Sequence, residues 1–450
     1  MKPHNIQVLK GTEPLASSAW AYEHRQTLVV DSVRVKWSRP SVLLPPEPSE
    51  CTFTMLHNPS REFNRLALDD LVSVVVFWER DKPATVFSGY VDVIEYSAVT
   101  SSDKWQVITV QAIDALGRES RRRVGAEPWP HERMNDRLER FRKLIPNLMQ
   151  IRTSAYAGPN SHWWTAPRLD IDSRNPVEVL QLHLNAYQMH LIAKGSGIAA
   201  IDAYTMSEEL VYSETSKVTR IRPTNAVELP SGSIRNVGKT LSYDSAINSV
   251  SISWLATTMN GNGDENDDET RAATRTWGDP NSPGTAIRID TLCRVANSAA
   301  TTKEQLEALK LEELSTPETM RGWAEKIVSS GAKPMPRLDR LSILLSRLDD
   351  SYRHSVNALT NMEDRFANAI VLLGVRNGLE ANQSIVGGSL ELSGDPSRNR
   401  LEIDTEPLRA TTPATPIIWK AVHNSVTFSN IDASISFQDM RRVKNSRSVI

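Results

Sequence analysis

Leu71-Val-Ser-Val-Val-Val-Phe77-Trp78 is followed by the turn Glu79-Arg-Asp-Lys-Pro83, then by Thr85-Val-Phe-Ser-Gly-Tyr-Val-Asp-Val-Ile-Glu-Tyr96. A second polar turn, Thr100-Ser-Ser-Asp103, leads into Trp105-Gln-Val-Ile-Thr-Val-Gln-Ala-Ile-Asp114. Three β-rich runs joined by short polar turns read as an antiparallel meander. The period changes at Asp114, which is placed to cap a helix over Ala115 to Val124. Gly125 ends that helix, and Glu127-Pro-Trp-Pro130 blocks its continuation.

Upstream, Val33 to Trp37 alternates, and Cys51, Phe53 and Met55 fall on one face of a further strand. At least five strands therefore precede residue 114, enough for a small antiparallel barrel. Residues 1–25 read as an N-terminal arm. Downstream, Met134, Leu138, Phe141 and Ile145 mark an amphipathic helix with a basic outer face over 131–148. Asn175-Pro176 starts another, running to about Met189. His190 to Asp202 reads as strand, turn, strand.

Tyr243 to Trp254 alternates, with Val250, Ile252 and Trp254 on one face. The acidic stretch Met259 to Glu269 reads as an exposed hairpin tip. Thr274-Arg-Thr-Trp-Gly278 and Ala286 to Asp290 are its returning strands, followed by helices near 291–314 and 316–329. Between 331 and 375, leucines at near-heptad spacing argue for one long helix. Ser355 falls at a core position of that heptad and weakens the helix reading. Ile385 to Leu392 and Asn399 to Asp404 form a closing hairpin. Near the end, Ser425-Val-Thr-Phe-Ser-Asn-Ile-Asp432 is almost repeated as Ser434-Ile-Ser-Phe-Gln-Asp-Met-Arg441, so that Phe428 aligns with Phe437 and Ile431 with Met440.

The meander, Phe87-x-Gly-Tyr-Val-Asp92, Ala112-x-Asp114, Arg121-Arg-x-Val-Gly125 and Glu127-Pro-Trp-Pro130 occur in that order in minor tail proteins of long-tailed actinobacteriophages, which this chain resembles. The Ile247-Asn-x-Val-x-Ile252 and Thr274-x-x-Trp-Gly278 elements extend the resemblance. It covers about 25–130 and 241–300, and 331–440 loosely, where it implies a strand over Arg340 to Leu345 with a helix from about Asp350 instead of the one long helix, and that reading is preferred. The fold it implies is α+β and mainly β: phage tail hub-like, with two or more small antiparallel β-barrel domains, intervening helices and an extended C-terminal tail. The divisions are an arm at 1–25, a first barrel at 26–130 and a helical or mixed part at 131–240. A second barrel-like part follows at 241–330, then a mixed part at 331–410 and a docking tail at 411–450.

The implied function is structural. It is a tail-tip or baseplate hub, a homotrimeric ring linking distal tail protein and tape-measure protein to the host-recognition apparatus, assembled in the host cytoplasm and carried in the virion. A cell-wall carbohydrate-binding tail protein and a hub with peptidoglycan hydrolase activity are the competing readings. The residues expected to dock on partners are Phe428, Ile431, Phe437, Met440 and Trp129.

Composition restricts the alternatives. The chain has 450 residues with 52 Lys and Arg against 54 Asp and Glu, a net charge of −2 that gives no electrostatic footprint for nucleic acid. No apolar run reaches the ~18 residues of a membrane span, and the N-terminus lacks a secretory core. Cys51 and Cys293, one in each half, form neither a disulfide framework nor a zinc site. Gly195-Ser-Gly-Ile-Ala-Ala200 is a degenerate dinucleotide fingerprint, but strand follows it where a helix is required, so it reads as a hairpin turn. His183 and His190 are too far apart for a helical metal pair, and Asp264 to Glu269 lacks the ligand spacing of a calcium loop. No cofactor, metal or catalytic residue is expected.

Overall fold

The computed structural model describes residues 2–18, 28–58, 65–97, 105–123, 128–151, 165–169, 174–202, 208–213, 218–223, 226–235, 239–259, 265–316, 318–338, 340–366, 369–373 and 383–407. The chain is α+β and mainly β. Its first unit is a closed barrel of β1 (Asn5–Lys10), β2 (Glu13–Ser18), β3 (Leu28–Ser38), β4 (Glu50–His57), β5 (Leu71–Phe77), β6 (Ala84–Tyr96) and β7 (Gln106–Ile113). The order around it is β3-β2-β1-β5-β6-β7-β4, and β4 returns to β3. Six contacts are antiparallel; the exception is β2 with β3, which pair in parallel over Ser17–Val29 and Ser18–Val30. Cys51, Phe53, Met55, Val33, Val35, Trp37, Ile108, Val110 and Ala112 point inward, all buried. A period of two delivers this, because successive side chains leave a strand on opposite faces. Each large apolar group so buried contributes about 1.5–3 kcal/mol.

The arm expected over 1–25 is replaced, from residue 5 to 18, by the β1–β2 hairpin, which turns at Gly11 with φ +60°. Its strands are too short and too polar to read alone, yet without them β5 and the start of β3 would each have an open edge.

The helical layer follows. α1 (Ala115–Ser120) is capped by Asp114 as expected, but stops at Ser120. β8 (Glu132–Arg133) precedes α2 (Met134–Leu144); β9 (Thr165–Ala166) precedes α3 (Pro176–Asn185). Asn175 caps α3, with Pro176 in its first turn. α3 ends short of Met189 because Gln188 adopts φ +55°, and β10 (Met189–Lys194) begins there. β10 and β11 (Gly197–Asp202) form the expected hairpin, with Gly195 in its turn at φ +56°.

Next come the hairpin β12 (Glu208–Ser213) and β13 (Val218–Pro223), then β14 (Ala226–Pro230), β15 (Ile234–Arg235) and β16 (Lys239–Thr240). β17 (Ile247–Met259), β18 (Glu265–Gly278) and β19 (Thr285–Asn297) are the long strands of an open five-stranded sheet, ordered β18-β17-β19-β9-β8. β17 pairs antiparallel with β18 and parallel with β19. The acidic run is mostly strand, since Met259 pairs with Glu265; residues 260–264 lie outside the described residues. The helix expected from 291 begins later, because β19 continues to Asn297. α4 (Lys303–Ala308) and α5 (Glu318–Gly331) follow.

Between 331 and 375 the chain is strand and then helix: β20 (Arg337–Leu338), β21 (Leu341–Leu344) and α6 (Arg353–Thr360). β22 (Ala369–Leu373), β23 (Gln383–Ser393) and β24 (Arg400–Pro407) complete the described chain. β23 lies against β3 from Gly387–Ser38 to Ser393–Ser32, so the late strands extend the barrel wall. Two cores result. One fills the barrel and its late strands and includes Phe53, Trp78, Leu341 and Leu401. The other joins α1, α2, α3 and α5 to the second sheet and includes Phe141, Leu184, Trp254 and Trp323.

Candidate functional site

The motif residues of the first meander gather where the barrel meets the helical layer. Phe87 is fully buried. Gly89 has no room for a side chain, since a Cβ there would stand 2.3 Å from the Ile113 carbonyl oxygen. Tyr90 extends out of the barrel and donates its hydroxyl to the Ser196 carbonyl in the β10–β11 turn, at 2.8 Å. The Arg118 guanidinium lies 4.0 Å from the centre of the Tyr90 ring. The register of β6 against β7 shifts between Val91 and Val93. Asp92, the residue at that shift, pairs with Arg121, and this hydrogen bond holds its carboxyl below the usual range. Arg122 binds Glu119 at 2.6 Å and the Leu144 carbonyl at 3.0 Å, fastening α1 to the end of α2. The motif is thus a clamp between two layers, made of groups that are already partnered.

Behind it lies a buried polar chain. Asp114 accepts from the Gly117 and Ser49 backbone N–H groups at 2.9 and 2.7 Å. Arg365 donates to the Ser49 hydroxyl at 2.6 Å and stacks 4.6 Å from the Trp37 ring. Burial raises the Asp114 carboxyl and lowers Arg365 to about 9. A guanidinium at that value is still charged at neutral pH, and its charge offsets part of the cost of burying Asp114.

The second cluster centres on Arg137, which is fully buried. It donates to Glu132 at 2.6 Å and to the Pro130 and Pro167 carbonyls at 2.8 Å each. It also donates to His183 Nε2 at 3.2 Å, which fixes the histidine tautomer: Nδ1–H donates to the Leu292 carbonyl at 2.9 Å. Burial and the Arg137 charge push His183 down to about 3, so the ring is neutral. Sequence reading placed the α2 bases on the outer face. Arg137 breaks that pattern, and its spacing from Met134 and Phe141, three and four residues, puts it on the apolar stripe.

Trp129, expected at a docking surface, has its ring inside the molecule, 5% exposed. It meets Phe141 edge-on at 4.9 Å and lies 5.0 Å from the Arg137 guanidinium. A proline-flanked tryptophan reads as a surface loop, but the bridge from Trp129 to Leu169 draws it under α2. Phe428, Ile431, Phe437 and Met440 lie outside the described residues.

Cys51 and Cys293 are buried, and burial raises both thiols, Cys293 to about 12. Among the described residues no group of three or more His, Cys, Asp or Glu could hold a metal ion. No helix among them is long and apolar enough to cross a membrane. On the surface, Tyr96, Trp105 and Val107 are 46%, 46% and 38% exposed near one end of the β6–β7 hairpin. A cleft of about 760 Å³ opens between β17, β19 and the end of β24, with Pro40, Ile247, Ala286, Arg337, Arg340 and Pro407 on its walls.

No family model and no curated protein matches the chain. Among solved structures it is similar to the 43 kDa tail protein of prophage MuSo2 from Shewanella oneidensis, at 10% identity and a TM-score of 0.48, covering 90% of this chain and 98% of that one. It is similar to a tail protein from Neisseria meningitidis at 9% identity and a TM-score of 0.46, covering 89% and 95%. An Escherichia coli component of the type VI secretion system follows at 9% identity and a TM-score of 0.41, covering 86% and 76%.

Proposed function

We propose that the chain is a structural subunit of a phage tail, placed at the tail tip or baseplate as a hub and acting by assembly rather than catalysis. The observation that carries this reading is the closed barrel with its clamp. The ordered motifs that resemble tail proteins fall on the barrel wall, its bulge and the helix that seals it to the next layer. Both thiols are buried, and His183 is locked as a neutral hydrogen-bond bridge, which removes these three groups as candidates for catalysis.

In this reading three copies form a ring between the distal tail tube with its tape measure and the host-recognition apparatus. Mass photometry of the purified chain should give multiples of three protomer masses, and reconstruction of the particle should place the chain around the tail axis. A stable monomer incorporated singly would overturn the hub reading. Clearing of purified cell walls by the chain would overturn the non-catalytic part.

A further inference from the structure

β18 runs for 14 residues and, among the described residues, pairs on one side only. It contains no proline, and from residue 272 to 278 its burial alternates, with Ala273 and Trp277 turned inward and Ala272, Thr274 and Thr276 outward. About half of the backbone N–H and C=O groups of such an edge point away from the sheet. A long proline-free edge of this kind is a template for another strand unless it is covered.

We propose that residues 434–444 of this same chain add to the β18 edge as an antiparallel strand. Three observations select this occupant. The described chain leaves β24 at Pro407, on the wall of the cleft that also holds Ile247. Ile247 begins β17, and Ser249, two residues on, pairs with Gly278 at the end of β18. The tail therefore departs from the Gly278 end, and the roughly 26 residues before Ser434 can span up to ~85 Å. Next, Ile435 and Phe437 have the period of two that a half-buried strand requires; Phe428, nine residues before Phe437, would fall on the opposite face, which confines the added strand to the second copy of the near-repeat. Charge then sets the direction. Arg441, Arg442 and Lys444 follow the apolar positions, while Glu265, Asp267, Asp268 and Glu269 occupy the far end of β18. A strand starting at Gly278 and running antiparallel brings the basic block to the acidic one. The opposite direction carries it past Gly278, away from that acidic block. Backbone pairing supplies the affinity in this mode of recognition, and alternate side chains supply the register.

The test uses hydrogen exchange on the full-length chain and on a variant carrying Phe437→Asp, Arg441→Glu and Arg442→Glu. Alternate amides within 270–277 should exchange at least about tenfold faster in the variant, while barrel amides such as Val110 keep their rates as an internal control. Equal rates at 270–277 in both proteins overturn the proposal. A second experiment pairs Thr274→Cys with Ser434→Cys, Ser436→Cys or Gln438→Cys under oxidation; the native thiols are buried and give little background. A cross-link that migrates as a monomer supports docking within the chain. Dimers alone, or no cross-link at any of the three positions, overturn it.

Discussion

His183 and His190 are held neutral inside the molecule, each pushed down to about 3 by burial and by a neighbouring arginine, Arg137 and Arg39 respectively. In the unfolded chain both titrate near 6.5. Above that pH neither state binds the proton, and the histidines add no pH dependence. As pH falls below 6.5 the unfolded state takes up protons that the native state refuses, so stability drops by up to about 1.4 kcal/mol per pH unit for each histidine. Asp114 acts in the opposite sense, because its raised native carboxyl favours the folded state as pH falls. Urea midpoints from pH 7.5 to 4.5 should therefore fall more steeply in the native chain than in the His183→Gln, His190→Gln double variant. Equal slopes would refute the assignment. Gly89 gives a second prediction: with the Ile113 oxygen 2.3 Å from the position of its Cβ, Gly89→Ala should cost about 1–3 kcal/mol through overpacking. An unchanged melting temperature would show that the two strands can separate freely there.

Elements that carry a long, clean period were legible in the sequence. The meander β5–β6–β7, the Asp114 and Asn175 caps and the β10–β11 hairpin announce themselves through two-residue alternation, capping chemistry or glycine, whereas the strand before α6 was pointed to by the family resemblance against a leucine spacing that argues for helix. The clamp residues were legible as a motif, but their work was not, because it depends on pairs such as Tyr90 with Ser196, 106 residues apart. β1 and β2 escaped notice since each has few apolar positions and its pairing is supplied by strands elsewhere. The overextended helices failed for local reasons: Gln188 turns left-handed, and β19 outruns the helical signal after residue 290. Arg137 escaped because a charge on an apolar stripe is read as noise unless its partners are known. Those partners join α2, α3 and β19, so Arg137→Met should lower stability by about 3 kcal/mol, the scale of a broken buried ion pair. Arg137→Lys should recover little, since one ammonium cannot serve Glu132, two carbonyls and His183 from fixed directions. Full recovery by lysine in a urea titration would reduce the cluster to a simple charge requirement.

At the scale of the whole molecule, the barrel is not a separable piece. β3 shares its edge between β2 and β23, and Trp78 inside the barrel donates to Thr360 of α6 at 3.0 Å. Arg353 of α6 also binds the Trp78 and Lys2 carbonyls. A fragment of residues 1–130 should therefore show no cooperative thermal transition by circular dichroism, whereas the full chain should. A fragment that melts sharply near the temperature of the intact protein would show that the late strands only decorate a finished barrel.

Because Ser38 pairs with Gly387, about 350 residues must be synthesised between the two halves of that contact. At roughly 5–20 residues per second, the nascent chain carries β3 with an unfilled edge for ~20–70 s. During that interval every translating ribosome displays the same sticky strand, and neighbours on a polysome hold identical strands close together. The abundance of correctly made protein should then depend on chaperone capacity and translation speed as much as on the stability of the finished fold. Slowing elongation over residues 300–380 should lower the soluble yield even though no amino acid is changed.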